Sequence, residues 1–186
     1  MNLKDAKKSL RAVIAQRKQT ITPAEKEALS LQALSNLEQL PLFETAEKIL
    51  LYHALPDELQ TASFLAKWES KKQLFLPVVK GENLLIKPYR KGETTTGSFG
   101  ITEPIGECSV HPRTIDLAII PGVAYNSNGA RLGRGKGYYD RLLTHLSCPC
   151  IGICFELQLS EEIPVEPHDK PMDIIITPER IIHCKS

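Results

Sequence analysis

The sequence predicts an α/β protein with three α/β/α layers, in which a mostly parallel central sheet follows N-terminal helices. Three observations support this prediction. Residues 3–40 follow a helical period, the rest of the chain contains short apolar runs, and helical segments separate several of those runs. Strands that are apolar along their length are typical of parallel sheets covered on both faces. We expect strands at 48–54, 73–79, 84–90, 116–121, 150–155 and 173–178.

Two helices are expected before the first strand. Residues 3–19 combine a few apolar positions at helical spacing with a basic remainder. The second helix begins near Thr22, because Thr is a capping residue and Pro23 suits the first helical turn. We expect that helix to run to about Leu40 and to end at Pro41.

The functional site is expected in the loop at 121–137. In open α/β sheets, ligands bind beyond the carboxyl ends of the strands. The run DLAIIP at 116–121 is nearly all apolar, which favours a central strand directly before this loop. Further helices are expected at about 61–71 and, directly after the loop, at 138–146.

Length and composition are those of one globular domain covering residues 1–186. Because the net charge is +1 and no apolar run approaches the length of a membrane span, nothing indicates nucleic acid or a membrane as a partner. The basic N-terminus is rich in Lys rather than in Arg and Ser, which favours a helix of the folded protein over a mitochondrial presequence. We expect a cytoplasmic monomer that acts on a small molecule.

The cysteines indicate a reducing compartment, because there are five of them without the spacing of a disulfide framework. Cys148, Cys150 and Cys154 are close together, and soft-metal ligation is one interpretation of this cluster. The cluster has neither a CxxC pair nor a local His, so a buried strand in which Cys acts as a small hydrophobe is the better interpretation.

The stretch ARLGRGKGYYDR at 130–141 contains the strongest chemical pattern. Its alternating glycines allow backbone amides to approach a ligand, and Arg131, Arg134 and Lys136 add positive charge. The pattern indicates a polyphosphate cradle, with a flexible basic surface loop as the alternative. It is not a Walker A loop, because Gly137 follows the lysine, and it lacks the GxGxxG spacing of dinucleotide loops.

The residues after the glycines can complete such a site. Asp140 falls in the first turn of the expected helix, where a carboxylate can hold Mg²⁺ or merely favour the helix dipole. Tyr138 and Tyr139 can pack over a flat ligand ring or fill the core.

The loop, extended to NGARLGRGKGYYDR, resembles the signature of the 5-formyltetrahydrofolate cyclo-ligases, also called 5,10-methenyltetrahydrofolate synthetases. Three further stretches resemble that family in order and spacing, and FGITEP (99–104) resembles its folate-contacting loop. The three are KKSLR (7–11), YHALPDELQT (52–61) and PVEPHDKPMDIIITP (164–178). The resemblance spans nearly the whole chain.

The resemblance implies three α/β/α layers and an ATP- and Mg²⁺-dependent reaction. In it, 5-formyltetrahydrofolate becomes 5,10-methenyltetrahydrofolate, and ADP and phosphate are released. The residues implied to hold ATP are Lys7, Lys8, Ser9, Leu10, Arg11, Arg131, Leu132, Gly133, Arg134, Gly135, Lys136, Gly137, Tyr138 and Tyr139. The residues implied to contact the folate are His53, Glu58, Phe99 and Tyr139, and those implied to bind Mg²⁺ are Asp140 and Asp173.

The implied chemistry suits these residue types. Phosphorylation of the formyl oxygen activates a poor electrophile, so that N10 can close the ring as phosphate leaves. Because phosphoryl transfer needs positioning and charge stabilisation, Arg134 and Lys136 are the candidate catalytic residues, with Lys136 expected at the γ-phosphate. Glu58 can accept two hydrogen bonds from a pterin, and the alternative is a solvated loop acid beside Asp57.

The sequence departs from the family pattern at three places. Asn126 stands where an acid is frequent, Leu59 and Gln60 follow Glu58 where Val and Asp are frequent, and His53 replaces an apolar residue. These departures affect the predicted folate contacts more than the ATP site.

Two other function classes are alternatives. One is a phosphosugar isomerase or CoA-transferase-like enzyme that binds a single phosphate ester, and the other is a nucleotide-binding regulatory module. Two basic segments far apart in sequence favour a long polyphosphate, and Glu58 with an aromatic-flanked loop favours a second, flat substrate. His168 either belongs to the site or orients Asp169.

Overall fold

The computed structural model describes residues 2–106, 108–167 and 169–184, except for the side chain of Phe99. Its main feature is a seven-stranded sheet in which five inner strands run parallel and each edge strand is antiparallel to its neighbour. The mostly parallel sheet is thus confirmed. In spatial order the strands are β11 (Ile181–His183), β10 (Ile174–Ile176), β9 (Cys150–Ile153), β6 (Leu117–Ile120), β1 (Lys48–Leu50), β2 (Gln73–Lys80) and β3 (Asn83–Pro88).

Helices pack on both faces of this sheet, as predicted. They are α1 (Leu3–Lys18), α2 (Pro23–Glu38), α3 (Pro41–Thr45), α4 (Ala62–Trp68) and α5 (Tyr138–Leu143). Because successive strand residues point to opposite faces, Ile119 and Ile151 pack with α2, α3 and α4, whereas Ile120 and Cys150 pack with α5. The two cores lie on opposite sides of the same strands, which gives the three layers.

Helix α1 lies beyond the carboxyl ends of the central strands. Its Ile14 packs against Val123 and Leu132, which belong to the chain that follows β6, and its Arg17 donates to the carbonyl oxygen of Leu157. Two other apolar residues of α1, Leu3 and Val13, are exposed. The helix is therefore attached through a small apolar core around Ile14 at the carboxyl ends of the strands. Most of its basic side chains remain outside the core.

The predicted capping of α2 is confirmed. The Thr22 hydroxyl accepts from the Glu25 N–H at 3.2 Å, and the Glu25 carboxylate accepts from the Thr22 N–H at 2.8 Å. This reciprocal pair satisfies two backbone donors at the helix start.

Several elements are shorter than predicted or were not predicted. The strand expected at 48–54 ends at Leu50, because the chain then leaves the sheet, and the helix expected at 138–146 ends at Leu143. Four strands of two or three residues form two hairpins, and such short strands leave no periodic pattern in the sequence. They are β4 (Thr94–Thr96) with β5 (Thr102–Pro104) and β7 (Ala124–Tyr125) with β8 (Arg131–Leu132). Helix α3 and strand β11 were also not predicted.

The cysteine cluster behaves as a set of small hydrophobes. Cys150 and Cys154 are buried on the face that α5 covers, and Cys148 is partly buried against the same core. The position of Cys150 on β9 and of Cys154 directly after it confirms the predicted buried strand. None of the described helices has both the length and the apolar character of a membrane-spanning helix.

Candidate active site

The glycine-rich loop lies between β8 and α5, after the carboxyl end of β6. Gly135 has φ of +100° and Gly137 has φ of +71°, in the left-handed region where a Cβ is unfavourable. These two residues reverse the chain and start α5 at Tyr138. The predicted need for glycine at these two positions is thus explained by backbone conformation.

A basic cavity of about 850 Å³ lies on one side of the loop. Lys4, Lys7 and Arg11 line it from one face of α1, because residues three and four positions apart share a helical face. Its other charged lining residues are Arg131, Asp140, Arg141, Glu166 and Asp169. Cations and carboxylates thus face the same space.

Two acids hold the Lys7 side chain in the lining of this cavity. Its Nζ lies 2.6 Å from Glu166 Oε2 and 3.5 Å from Asp169 Oδ2. Burial by itself lowers the pKa of Lys7, but the hydrogen bond to Glu166 and the charge of Asp169 outweigh burial and raise the pKa. Lys7 is therefore a permanent cation at neutral pH.

The KKSLR segment is divided between two faces of α1. Lys7 and Arg11 line the basic cavity, and Arg11 Nε donates to the Gly133 carbonyl oxygen at 2.7 Å. Lys8 and Ser9 are exposed and do not line that cavity, while Leu10 packs against the small core around Ile14. A helix cannot point five consecutive side chains to one ligand, so the structure groups only part of this predicted segment with the loop.

An apolar cavity of about 350 Å³ lies on the other side of the loop. It brings together three residues predicted to contact the folate, His53, Glu58 and Tyr139, with the two predicted catalytic residues, Arg134 and Lys136. Its apolar wall consists mainly of Tyr52, Leu55, Pro77, Val79, Leu84, Ile101, Pro121 and Tyr138. The Phe99 side chain and His168 lie outside the described residues.

Glu58 and Arg134 form an ion pair inside this cavity. The Arg134 Nε and one terminal nitrogen lie 3.1 and 3.0 Å from Glu58 Oε1, and the same nitrogen lies 2.7 Å from Asp57 Oδ1. Burial alone would lower the pKa of Arg134, but Asp57 and Glu58 raise it. Glu58 Oε2 accepts from the Leu55 N–H at 2.9 Å, so both oxygens of this 9% exposed residue are engaged.

Burial favours the uncharged forms of Tyr139 and His53 in this cavity. Burial, with a further contribution from the Glu58 carboxylate, raises the pKa of the Tyr139 hydroxyl, and the Arg131 guanidinium lies 5.7 Å from the Tyr139 ring centre. Burial also lowers the pKa of His53, which favours the neutral imidazole. The uncharged groups suit an apolar ring system.

The two cavities share a wall. Arg131, Gly133, Gly137 and Asp140 line both of them. The Arg131 side chain, which is 4% exposed, donates to Asp140 Oδ1 at 2.5 Å and to the Pro121 carbonyl oxygen at 2.9 Å. A charged ligand and an apolar ligand can therefore occupy neighbouring spaces that meet at this ion pair.

The carboxylates predicted to bind Mg²⁺ lie in different surroundings. Asp140 lines both cavities, whereas Asp173 lines neither, and its Oδ2 accepts from the Cys150 N–H at 2.7 Å at the amino end of β9. The carboxylates that share the basic cavity with Asp140 are Glu166 and Asp169. Asp169 was named in the sequence only as a neighbour of His168, because carboxylates from distant segments that line one cavity share no sequence spacing.

Known proteins with similar sequences include several 5-formyltetrahydrofolate cyclo-ligases. The model of the 5-formyltetrahydrofolate cyclo-ligase family matches residues 3–178. The 5-formyltetrahydrofolate cyclo-ligase of Escherichia coli K12 is 29% identical over 179 residues, which cover 91% of this chain and 98% of the relative. That of Haemophilus influenzae is 30% identical over 161 residues, with 81% and 84% covered.

Solved structures agree with the sequence match. The 5,10-methenyltetrahydrofolate synthetase of Aquifex aeolicus has a TM-score of 0.89 and 31% identity, over 97% of this chain and 93% of that one. The corresponding Mycoplasma pneumoniae enzyme has a TM-score of 0.76 and 26% identity, over 92% and 98% of the two chains. Because the family match runs almost from end to end and the fold agrees, the protein belongs to the 5-formyltetrahydrofolate cyclo-ligase family.

Proposed function

We propose that the protein converts 5-formyltetrahydrofolate and ATP into 5,10-methenyltetrahydrofolate, ADP and phosphate. The wall that the basic and apolar cavities share, formed by Arg131, Gly133, Gly137 and Asp140, is the observation that supports this most directly. A phosphoryl group that passes from a highly charged donor to a largely apolar acceptor needs two such spaces in contact.

ATP would occupy the basic cavity. Its volume of about 850 Å³ is within the range of small-molecule sites, and a triphosphate requires several cations. Lys7 and Arg11 approach from α1 on one side and Arg131 from the loop on the other. A polyphosphate can contact cations of both segments at once, which favours it over the single phosphate ester of the phosphosugar alternative.

Mg²⁺ fits the donors of the same cavity. The described residues include no group of three or more side chains arranged to hold a metal ion. Mg²⁺ usually binds one or two carboxylates together with phosphate oxygens and water, and Asp140 and Asp169 offer such carboxylates. When bound, the ion would offset negative charge on the phosphates.

The reduced folate would place its pterin in the apolar cavity. The tyrosines and aliphatic side chains of the wall suit a flat ring, and the Glu58 carboxylate suits its N–H donors. Glu58 is held by Arg134 in this structure, so binding of the pterin would replace that pairing and leave Arg134 available to the phosphates.

The chemical step needs charge stabilisation rather than a covalent enzyme intermediate. The formyl oxygen attacks the γ-phosphorus, and the bond to the ADP oxygen breaks. The N10 lone pair then attacks the formyl carbon, the N10 proton is lost, and phosphate leaves with the former formyl oxygen. Lys136 and Arg134 would stabilise the negative charge on the transferring group, because both line the acceptor side of the loop.

The proposal is tested with purified protein, 5-formyltetrahydrofolate, ATP and MgCl₂, by following the absorbance of the methenyl product. We expect product only when all three additions are present, with one ADP released per product. Absence of product at high enzyme concentration would overturn the proposal. ATP binding without turnover would instead support the nucleotide-binding regulatory module.

A further inference from the structure

Glu103 is a buried acid in the apolar cavity that the reaction described above does not use. It lies on β5, and the β4–β5 hairpin brings it into the cavity wall together with the neighbouring Ile101. Glu103 is only 8% exposed, although its surroundings in this wall are mostly apolar. A carboxylate in such a place is unfavourable unless something donates hydrogen bonds to it.

The protein itself occupies only one of the two Glu103 oxygens. Oε1 accepts from the Val79 N–H at 3.1 Å, which ties the hairpin to β2. Among the described residues, no hydrogen bond reaches Oε2 and no cation forms an ion pair with Glu103. Oε2 is also not among the described fully enclosed atoms without a partner, so it keeps some exposed surface, and Glu103 itself lines the apolar cavity.

The position of Oε2 depends on a glycine. A Cβ on Gly97 would lie 2.0 Å from Glu103 Oε2, so any larger residue at 97 would displace the carboxylate. The backbone at Gly97 has φ of −95°, which other residues also adopt, so conformation does not require glycine there. The glycine is needed for the space that this oxygen fills.

Glu103 differs in this respect from the two other acids that line the cavity, Glu58 and Asp140. Both oxygens of Glu58 already have partners, Arg134 and the Leu55 N–H. Asp140 keeps one oxygen without a hydrogen bond from the described residues, but its other oxygen is paired with Arg131. Among the described acids of this cavity, Glu103 is thus the one with a free acceptor and no ion pair.

We propose that Glu103 is a second substrate-binding carboxylate that accepts an N–H of the reduced pterin and selects for ligands that carry this donor. The inference rests on the proposed function, because it names a contact of that substrate. A reduced pterin carries an amino group and two ring N–H groups, more donors than Glu58 alone can accept in one plane. Glu103 binds a donor that Glu58 leaves free.

The test is Glu103→Gln. The Gln carbonyl oxygen still accepts from Val79, but the amide nitrogen that replaces Oε2 cannot accept from the ligand. We expect the Kd and KM for 5-formyltetrahydrofolate to rise about 10- to 100-fold, the loss of one hydrogen bond to a charged group. The KM for ATP and the melting temperature should stay near their wild-type values. Kd is measured by calorimetry without ATP, and KM by the methenyl assay.

Glu93→Gln is the matched control, because Glu93 is an exposed acid just before the same hairpin. We expect it to leave folate affinity unchanged. A second variant, Gly97→Ala, keeps the Glu103 charge but forces Oε2 from its position, and it should weaken folate binding without affecting ATP.

Wild-type folate affinity in a folded Glu103→Gln would overturn the inference and would leave Glu103 as an anchor of the hairpin only. If Glu103→Gln does not fold, Gly97→Ala decides in the same way. The proposed function fails separately, since it fails only if the wild-type enzyme forms no methenyl product.

Discussion

The basic and apolar cavities are built from different parts of the chain and bind by different physical means. The basic cavity combines one face of α1 with the loop and with Glu166 and Asp169, so its affinity is electrostatic. The apolar cavity combines sheet-edge strands, a hairpin and the 52–58 segment, so its affinity comes from packing and a few acceptors. In the proposed reaction, the loop would separate the charged phosphoryl donor from the apolar acceptor, and the two would meet at the wall that the cavities share.

The two cavities resemble each other in one respect, because in each of them a cation is paired with two acids. In the basic cavity, Lys7 contacts Glu166 and Asp169. In the apolar cavity, Arg134 contacts Asp57 and Glu58. In the proposed reaction, each substrate would exchange such protein ion pairs for its own contacts, which would favour the anion and the N–H donor that replace them best.

Lys136 lines the apolar cavity directly before the wall residue Gly137, and its substitution should have the largest effect. Lys136→Ala removes a cation that would stabilise the transferring phosphoryl group, so kcat should fall about 100- to 1,000-fold, as for the loss of an oxyanion donor. The two KM values should change much less. Steady-state kinetics measure this, with Lys80→Ala, an exposed lysine at the end of β2, as control. A kcat near that of the control would remove Lys136 from the chemical step.

The Mg²⁺ requirement of the enzyme should distinguish Asp169 from Asp173, two acids that lie four residues apart in the sequence. In Asp169→Asn the amide oxygen still accepts from the Glu166 N–H, but a charge is lost from the basic cavity, so half-maximal activity should need about tenfold more Mg²⁺. In Asp173→Asn the Mg²⁺ requirement should be unchanged. Calorimetric titration of Mg²⁺ into the enzyme with ATP gives a readout independent of turnover. The reverse result would contradict this expectation and would support the sequence-based prediction that Asp173 binds Mg²⁺.

Substitutions of the neighbouring residues Lys7 and Lys8 test which face of α1 binds ATP. Lys7→Ala removes a cavity cation and should raise the KM for ATP about tenfold, while the Kd for the folate stays unchanged. Lys8→Ala should change neither value by more than about twofold, because an exposed charge outside the cavity is screened by solvent. Equal effects of the two variants would contradict the division between the cavities.

The smallest expected effect is on the pH dependence of the melting temperature, and it comes from His53, which lines only the apolar cavity. Because burial lowers its folded pKa below the ordinary value of about 6.5, the unfolded chain binds the proton more readily. The stabilisation due to the neutral imidazole is present above that ordinary value and is lost as the pH falls through it. The melting temperature of the wild type should therefore decrease more between about pH 7 and pH 5 than that of His53→Gln. Parallel decreases would mean that His53 is not desolvated.

The periodic elements of the fold could be predicted from the sequence, whereas the small ones could not. The central strands and the first two helices have strong local patterns, since apolar runs and the Thr22 cap act over a few residues. The β7–β8 hairpin, with strands of two residues each, forms because it packs between Ile14 of α1 and the sheet. That packing depends on residues more than a hundred positions away, which no local pattern contains.

The sequence by itself determined the α/β class, and it predicted the glycine loop as the anion site and Glu58 as a candidate acceptor, because each of these depends on neighbouring residues. The tertiary structure decided which side of the loop each side chain faces. Arg134 meets Glu58 across 76 positions, and Arg11 meets the Gly133 carbonyl across 122. It also placed Asp169, and not Asp173, in the lining of the basic cavity together with Asp140, and it buried Glu103 in the apolar wall. These pairings follow from how the strands and helices pack in three dimensions, and the spacing of residues along the chain does not contain that information.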